Sequence, residues 1–460
     1  MKKGDILAAI DDVLKYIATN EIKWVDFHFF GITGVLHRTT VSNRKVDEDT
    51  FGRGIRTADL RNVFGESPQG ELVLLPDPDT LARIPWEPST VRLISDIMAM
   101  PEKERFLKDS RYIAERIMTN LNAAGISEAK VGAEIDCYIF DTVTIEKTAP
   151  GRGTGAILDS REAKWGPSPL TSERGSYVSQ PFDSMYAARC QIAETLEDNF
   201  GVLVDGHWHG ESPTSQQTFE LAERDVKTAA DAVSTLKFVT RNLSTAVNVS
   251  STFLPYPVEG ERGNDLYISM SLWKSAENNI FYDANEKYAQ LSQTARYFIG
   301  GLLEHARALA VFTAPLPNSY KRLAVCSFVS GWSTKRGGAL VYIPYSRKNA
   351  KESARVVYKG ADPAVNPYLA YAAVLAAGLD GIKNKIEPGD PVEEETKKRK
   401  EISLPDSLYE AIVALESDTR FIKGVVPPEF LESYLDKKLR QYKEDKAAVT
   451  MNDHRKYFNV

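Results

Sequence analysis

Glu134 and Asp136 stand two residues apart in KVGAEIDCYIFD, residues 130–141. On a strand this spacing puts both carboxylates on one face, with Ile135, Cys137 and Ile139 turned toward a core. Two like charges so close repel unless a cation or an arginine lies between them. The pair therefore reads either as part of a metal site or as the solvated acidic face of an edge strand. Downstream, VDGHWHGESPTSQQTFEL puts His207, His209 and Glu211 on one strand face and Glu220 on a second short strand. Such a carboxylate-rich set suits a hard divalent ion, Mg²⁺ or Mn²⁺. The H-x-H-x-E face alone would also suit zinc, or be the polar side of a half-exposed strand. A third cluster, PNSYKRL at 317–323, crowds Asn318, Lys321 and Arg322 beside apolar sequence. Arg322 there could fork onto a substrate carboxylate or belong to a surface loop.

The surrounding periodicities predict what must hold these residues. Ile6, Ile10, Val13, Leu14 and Ile17 recur at helical spacing over 5–18, and KWVDFHFFGITGVLHRTTV reads as a hairpin around Gly31–Gly34. LVLLPDPDTLARIPW gives a short strand and a turn. The stretch MPEKERFLKDSRYIAERIMTNLNAAGI, 100–126, reads as a long helix, which places a domain boundary near residue 100: 1–103 and 104–460. Strands are expected near 131–140, 202–211, 217–222 and 265–273. A mostly apolar helix follows Asp362 as its cap and Pro363 in its first turn, and helices at 406–417 and 427–446 close the chain. The charged run EEETKKRKE at 393–401 reads as a solvated loop.

Composition narrows the class. The chain has 460 residues, 57 Lys+Arg against 63 Asp+Glu, a net charge of −6, 43% hydrophobic and 26% charged residues, which is globular composition. Fibrous and disordered chains are excluded. No run approaches the ~20 apolar residues of a membrane span, and the N-terminus lacks a signal peptide's apolar stretch. The mild acidity argues against nucleic acid as a partner. Cys137, Cys190 and Cys326, three and widely spaced, form no disulfide framework. A cytoplasmic protein with neither membrane nor nucleic-acid partners is the expectation.

Several ordered segments resemble the glutamine synthetase family in its bacterial and archaeal type. NSYKRL, ADPAVNPYLAYAAVLAAGLDGIKNKIEPGDPV, GAEIDCYIFD, NDLYISMSLWK and DFHFFGITGVLHRTTV all have counterparts there, over nearly the whole length. The resemblance implies an α+β fold, with an N-terminal beta-grasp domain and a large catalytic-type domain on a curved antiparallel sheet with a helical tail. It also implies stacked rings, commonly dodecamers, and ATP-dependent ligation of ammonia to glutamate through an acyl phosphate, with two divalent ions.

Carried over by position, the resemblance makes Asp136, Glu211 and Glu220 ligands of the glutamate-side ion; Glu211 fits only if the following loop has one extra residue. Glu134 is the first ligand of the second ion. Its companions are lost: Tyr267 and Val357 stand where a histidine and a glutamate are required, and Ser269 replaces the second histidine of the motif. Neutral tyrosine is a poor ligand because its phenol ionises near ~10. Arg322, Lys359 and Gly263 correspond to substrate positions, and Lys359 replaces an arginine. Ser271, Arg355, Lys335 and Arg336 correspond to the nucleotide site, whereas Gly337 and Tyr342 occupy the places of two phosphate arginines. The gate segment AVCSFVSG is short and carries no carboxylate, and Arg56 or Thr57 takes the place of the ammonium-side acid, with Asp59 nearby. These losses imply a homologue that makes glutamine poorly, retaining one Mg²⁺ or Mn²⁺ site and weak ATP binding at most. Such a homologue would act by binding or regulation, alone or with a complete glutamine synthetase. The alternative is a ligase joining glutamate or a related acid to an amine other than ammonia.

Overall fold

The computed structural model describes residues 3–57, 60–65, 71–147, 154–170, 176–326, 329–335, 337–345, 350–393 and 403–457. Helix α1 (Lys3–Thr19) buries Ile10, Val13 and Ile17 at the spacing seen in the sequence. It is followed by the hairpin β1 (Trp24–Phe30) and β2 (Leu36–Ser42), antiparallel in the register Trp24↔Ser42 to Phe30↔Leu36. With β3 (Leu72–Pro76) and β4 (Thr90–Ala99) these strands form a mixed sheet in the order β2-β1-β4-β3, the β1–β4 pair being parallel.

The long helix expected over 100–126 is shorter. Glu104–Arg105 pairs with the end of β4, and α2 spans Ser110–Ala123. Asp109 sets its start, because its carboxylate accepts from Arg111 N at 3.1 Å and from Ile97 N at 3.1 Å.

The larger sheet is curved and almost wholly antiparallel. Its strands are β5 (Glu128–Phe140), β6 (Val204–His209), β7 (Gln216–Asp225), β8 (Leu266–Ser275), β9 (Val329–Ser333), β10 (Ala339–Tyr342) and β11 (Val356–Ala361), in the order β6-β7-β5-β8-β11-β10-β9. Helix α3 (Val226–Ala246) lies against β5 and β7, and α4 (Pro317–Val325) carries the PNSYKRL segment. Helix α5 (Pro367–Asn384) is buried on nearly every side, which its alanine-rich sequence permits. It begins four residues later than expected: Asn366 is the cap and Pro367 the first-turn proline. Asp362 is instead buried, accepting from Ala364 N at 2.9 Å. Helices Leu408–Ser417 and α6 (Pro428–Ala447) agree with the expected 406–417 and 427–446. Within 393–401, residues 394–401 lie outside the described residues. The cysteines are free thiols.

One apolar core runs beneath both sheets, and a buried charge cluster ties them together. Arg111, wholly buried, bonds Asp231 (2.8 and 3.2 Å), Asp96 (2.6 Å) and Asp77 (3.0 Å), joining α2, α3 and β4. Burial, the largest single influence, would raise the carboxyl pKa of Asp77 and Asp96, but Arg111 and Lys227, joined by Arg105 at Asp96, together outweigh it and both are lowered. A lowered carboxyl stabilises the fold above its unfolded value and ceases to do so as pH falls through its folded value. Arg111→Met is expected to lower the unfolding free energy by about 3–5 kcal/mol, because the carboxylates lose their counter-charge. The difference between wild-type and Arg111→Met midpoints, which isolates this cluster, should be largest near neutrality and shrink below about pH 4; urea titration at several pH values measures both effects.

Candidate functional site

The register of the larger sheet places the chemistry. Glu220 on β7 lies directly opposite Glu134 on β5, and Tyr267 on β8 lies opposite Glu134 on the other side. One row along, Ser269 pairs with Gly132 and with Val357, and Val357 pairs with Tyr342. Glu134, Glu220, Tyr267, Ser269, Tyr342 and Val357 line a cavity of about 290 Å³ with Arg355. Gly132 is needed here: a side chain on it would come within 2.6 Å of Ser269 Oγ and 2.9 Å of Glu223 Cγ. The gap lets the Ser269 hydroxyl donate to Glu223 at 3.2 Å, while Arg355 pairs with Glu223 at 3.5 Å.

Strict alternation along a strand misses Glu223 and Asp205, which also line this cavity. Irregularities in register between Leu221 and Arg224, and between Val204 and Gly206, carry them onto it. Tyr177 and Trp208, stacked at 5.7 Å, complete an aromatic wall. The lining thus carries Glu134, Asp205, Glu220 and Glu223 against the single described cation Arg355, with Tyr177, Trp208, Tyr267 and Tyr342 around them.

The other predicted ligands are held differently. Asp136 accepts from Thr218 Oγ1 at 2.7 Å and from Asp265 N at 3.0 Å. Burial first, and the Asp265 carboxylate second, push its carboxyl up to about 8. Glu211 is exposed on the turn after β6 and pairs with Arg262 at 3.4 Å, so it does not join the Glu134–Glu220 pair in this structure. The expected shared face of His207, His209 and Glu211 is not formed. His207 lies opposite Phe219 and His209 opposite Gln217, so both histidines are on the face turned away from Glu220. His209 is buried with Glu162 at 3.0 Å, which corrects the zinc alternative. Among the described residues no three His, Cys, Asp or Glu side chains converge as a metal site. The donor chemistry of Glu134 and Glu220 nevertheless suits one hard divalent ion completed by water or a substrate oxygen. Bound there, such an ion would supply charge neutralisation. The second ion's set does not fit, because Val357 has no donor and the Tyr267 phenol is pushed up by burial and then by Asp265.

Arg322 is wholly buried, not part of a surface loop. Its guanidinium is ion-paired with Asp265, donates to Gly360 O at 3.0 Å and lies 4.0 Å from Asp362. Asp265, which no local spacing singles out, also accepts from Tyr267 OH at 3.0 Å and Arg262 at 3.2 Å. Gly263 gives Arg322 its path, since a Cβ there would approach Arg322 Cγ to 2.6 Å. Lys359 is nearly buried, with Nζ 5.0 Å from the Tyr267 ring centroid.

Of the nucleotide candidates, Arg355 reaches the cavity. Ser271 is buried and its hydroxyl accepts from Trp273 Nε1 at 2.9 Å. Lys335 and Gly337 are exposed, and Arg336 lies outside the described residues. Thr57 donates to Leu72 O at 3.2 Å, Arg56 pairs with Glu71 at 3.0 Å, and Asp59 lies outside the described residues.

A small mixed sheet joined to a curved antiparallel sheet with carboxylates on one face defines the glutamine synthetase fold. Residues 107–457 match the family described as "Glutamine synthetase, catalytic domain". The chain is 36% identical to the glutamine synthetase of Sulfolobus acidocaldarius over 448 residues, covering 94% of each, and 32% identical to that of Rhizobium meliloti, covering 95% of this chain and 96% of the relative. A Plasmodium falciparum glutamine synthetase solved by cryo-electron microscopy superposes with a TM-score of 0.87 at 20% identity, covering 97% of this chain and 98% of that one. The chain belongs to the glutamine synthetase family. No helix among the described residues is long and apolar enough to cross a membrane.

Placing donors at positions 267 and 357 should raise metal affinity. Tyr267→His with Val357→Glu is expected to tighten Mn²⁺ binding by about tenfold or more, since two donors then join Glu134. Titration followed by electron paramagnetic resonance reads this directly.

Proposed function

We propose that this chain is a glutamine synthetase homologue that does not make glutamine at a useful rate and serves a binding or regulatory role. The observation that carries this reading is the row Glu220–Glu134–Tyr267 with Val357 beside it, where only the glutamates can ligate a metal. A triphosphate is stabilised in transfer by cations on its oxygens. Among the described residues lining the cavity Arg355 is the one cation, and it is already paired with Glu223. The Asp265–Arg322 pair supports the same reading: the guanidinium that the resemblance assigns to substrate has an internal carboxylate. In this proposal residues 1–103 and 104–460 act as beta-grasp and catalytic-type domains of a cytoplasmic ring homo-oligomer, a dodecamer as the resemblance implies. A complete glutamine synthetase is its candidate partner for co-assembly, and Mg²⁺ or Mn²⁺ at Glu134 and Glu220 its candidate ion.

A second reading rests on a separate observation. Four carboxylates and four aromatic rings around the cavity favour an organic cation, through charge and ring-face attraction. This supports a ligase joining glutamate or a related acid to an amine other than ammonia.

Calorimetric titration with ATP and Mg²⁺ or Mn²⁺, then phosphate release from glutamate with ammonia and a panel of amines, separates the two. The first reading expects no release with any amine, and turnover overturns it. Absence of ATP binding at millimolar concentration overturns the second. Asp265→Asn removes the internal charge from Arg322 and is expected to tighten glutamate binding by about tenfold. Unchanged binding in a folded variant would mean that Arg322 is not a carboxylate subsite.

A further inference from the structure

We infer that the cleft between the β1–β2 hairpin and the helices behind it is a second binding site, for a small multiply charged anion bearing phosphate or several carboxylate groups. The cleft is a cavity of about 650 Å³ and shares no lining residue with the carboxylate cavity. Its volume is in the range of small-molecule sites. Arg38, Lys237, Arg241 and Lys438 line it together with His28 and His37, and no Asp or Glu is present among the described lining residues. The two cavities of one chain therefore carry opposite charge.

The cations come from separate elements that meet here. Lys237 and Arg241 are one turn apart on α3, which puts them on one helix face. Lys438 comes from α6 and Arg38 from β2. Arg38 has a partner, Asp26, at 2.8 Å. The other three have no carboxylate within ion-pair distance among the described residues. Lys237 Nζ reaches Val365 O at 3.4 Å, Lys438 Nζ reaches Gln441 Oε1 at 3.1 Å, and the Arg241 guanidinium lies 5.4 Å from the Phe253 ring centroid. Lys438 is only 2% exposed, a poor position for an ammonium with one neutral acceptor.

Burial, then Arg241, pushes Lys237 down to about 7, and burial lowers Lys438 to about 8. The nearby Asp362 opposes both shifts, but it also faces Arg322 and does not line the cleft. His28 adds an independent sign. It is 1% exposed, packed edge-on to Phe238 at 5.1 Å, and its Nε2 is a buried polar atom without a hydrogen-bond partner. Buried polar atoms are almost always satisfied, so the orphan Nε2, a donor in the Nε2–H tautomer, adds a polar group beside Lys237, Arg241 and Lys438 that an acceptor-rich ligand would satisfy. Phe30, Phe238 and Phe253 leave an apolar wall for a ligand body.

The test is calorimetry on the full chain with inorganic pyrophosphate and, separately, citrate. At least one should bind, and the one that binds identifies the ligand chemistry. Lys237→Gln with Arg241→Gln should weaken that binding by about tenfold or more, and the exposed Arg241→Gln alone by a smaller factor. Lys423→Gln, at an exposed lysine that lines neither cavity, should leave it unchanged. Because the double variant could misfold, ring-proton NMR of wild-type His28 provides a second measure: its resonances should shift on addition of the anion. No binding of either anion, affinity unaltered in a folded double variant, loss of binding in Lys423→Gln, or a silent His28 each overturns the assignment. The double variant separates this cleft from the carboxylate cavity, because neither Lys237 nor Arg241 lines the latter.

Discussion

A guanidinium with no exposed surface must find its acceptors inside the protein, and Arg322 finds them in Asp265 and the Gly360 carbonyl. That requirement draws α4, the start of β8 and the end of β11 to one point. Asp265 then holds the Tyr267 hydroxyl, its own backbone N–H holds Asp136, and Arg262 links it to Glu211. A substrate carboxylate reaching for Arg322 would have to compete with an acid already desolvated and oriented, and removing either member of such a pair leaves a buried charge uncompensated. The same contact that makes this part of the fold coherent thus constrains the chemistry available to it.

The two cavities follow different rules of charge. At the sheet face, hydrogen-bond register brings Glu134 and Glu220 opposite one another, and two irregularities add Asp205 and Glu223. Repulsion among them is relieved partly by Arg355, which pairs with Glu223, and an incoming cation would relieve it further. In the cleft behind the hairpin, cations from α3, α6 and β2 converge, with no acid among the described lining residues. Neither distribution follows from the chain's net charge of −6; each follows from which helix face or strand edge the fold turns inward.

Much of the framework was legible because local spacing and burial agree. The hairpin of β1 and β2, the strands β5, β7 and β8, and helix α6 occupy the expected stretches, since alternating or helical apolar spacing there coincides with one buried face. Boundaries were less legible. Asp362 and Pro363 look like a helix start, but Asp362 is captured in the interior near Arg322, and the helix begins after Asn366. Asp109, not residue 100, opens α2, because its carboxylate also has a strand N–H to satisfy.

For the site, local alternation was enough to pair Glu134 with Asp136 on one face, and residue order was enough to single out Tyr267 and Val357, which the sheet register sets beside Glu134. Those are properties of residue type and order, which the chain carries before it folds. Tertiary structure alone decided that Asp265 would occupy Arg322, that His207 and His209 would face away from Glu220, and that Glu223 and Asp205 would join the cavity. The physical reason is that an ion pair 57 residues apart along the chain, or a one-residue irregularity in a strand's register, depends on contacts between distant segments that no local spacing contains.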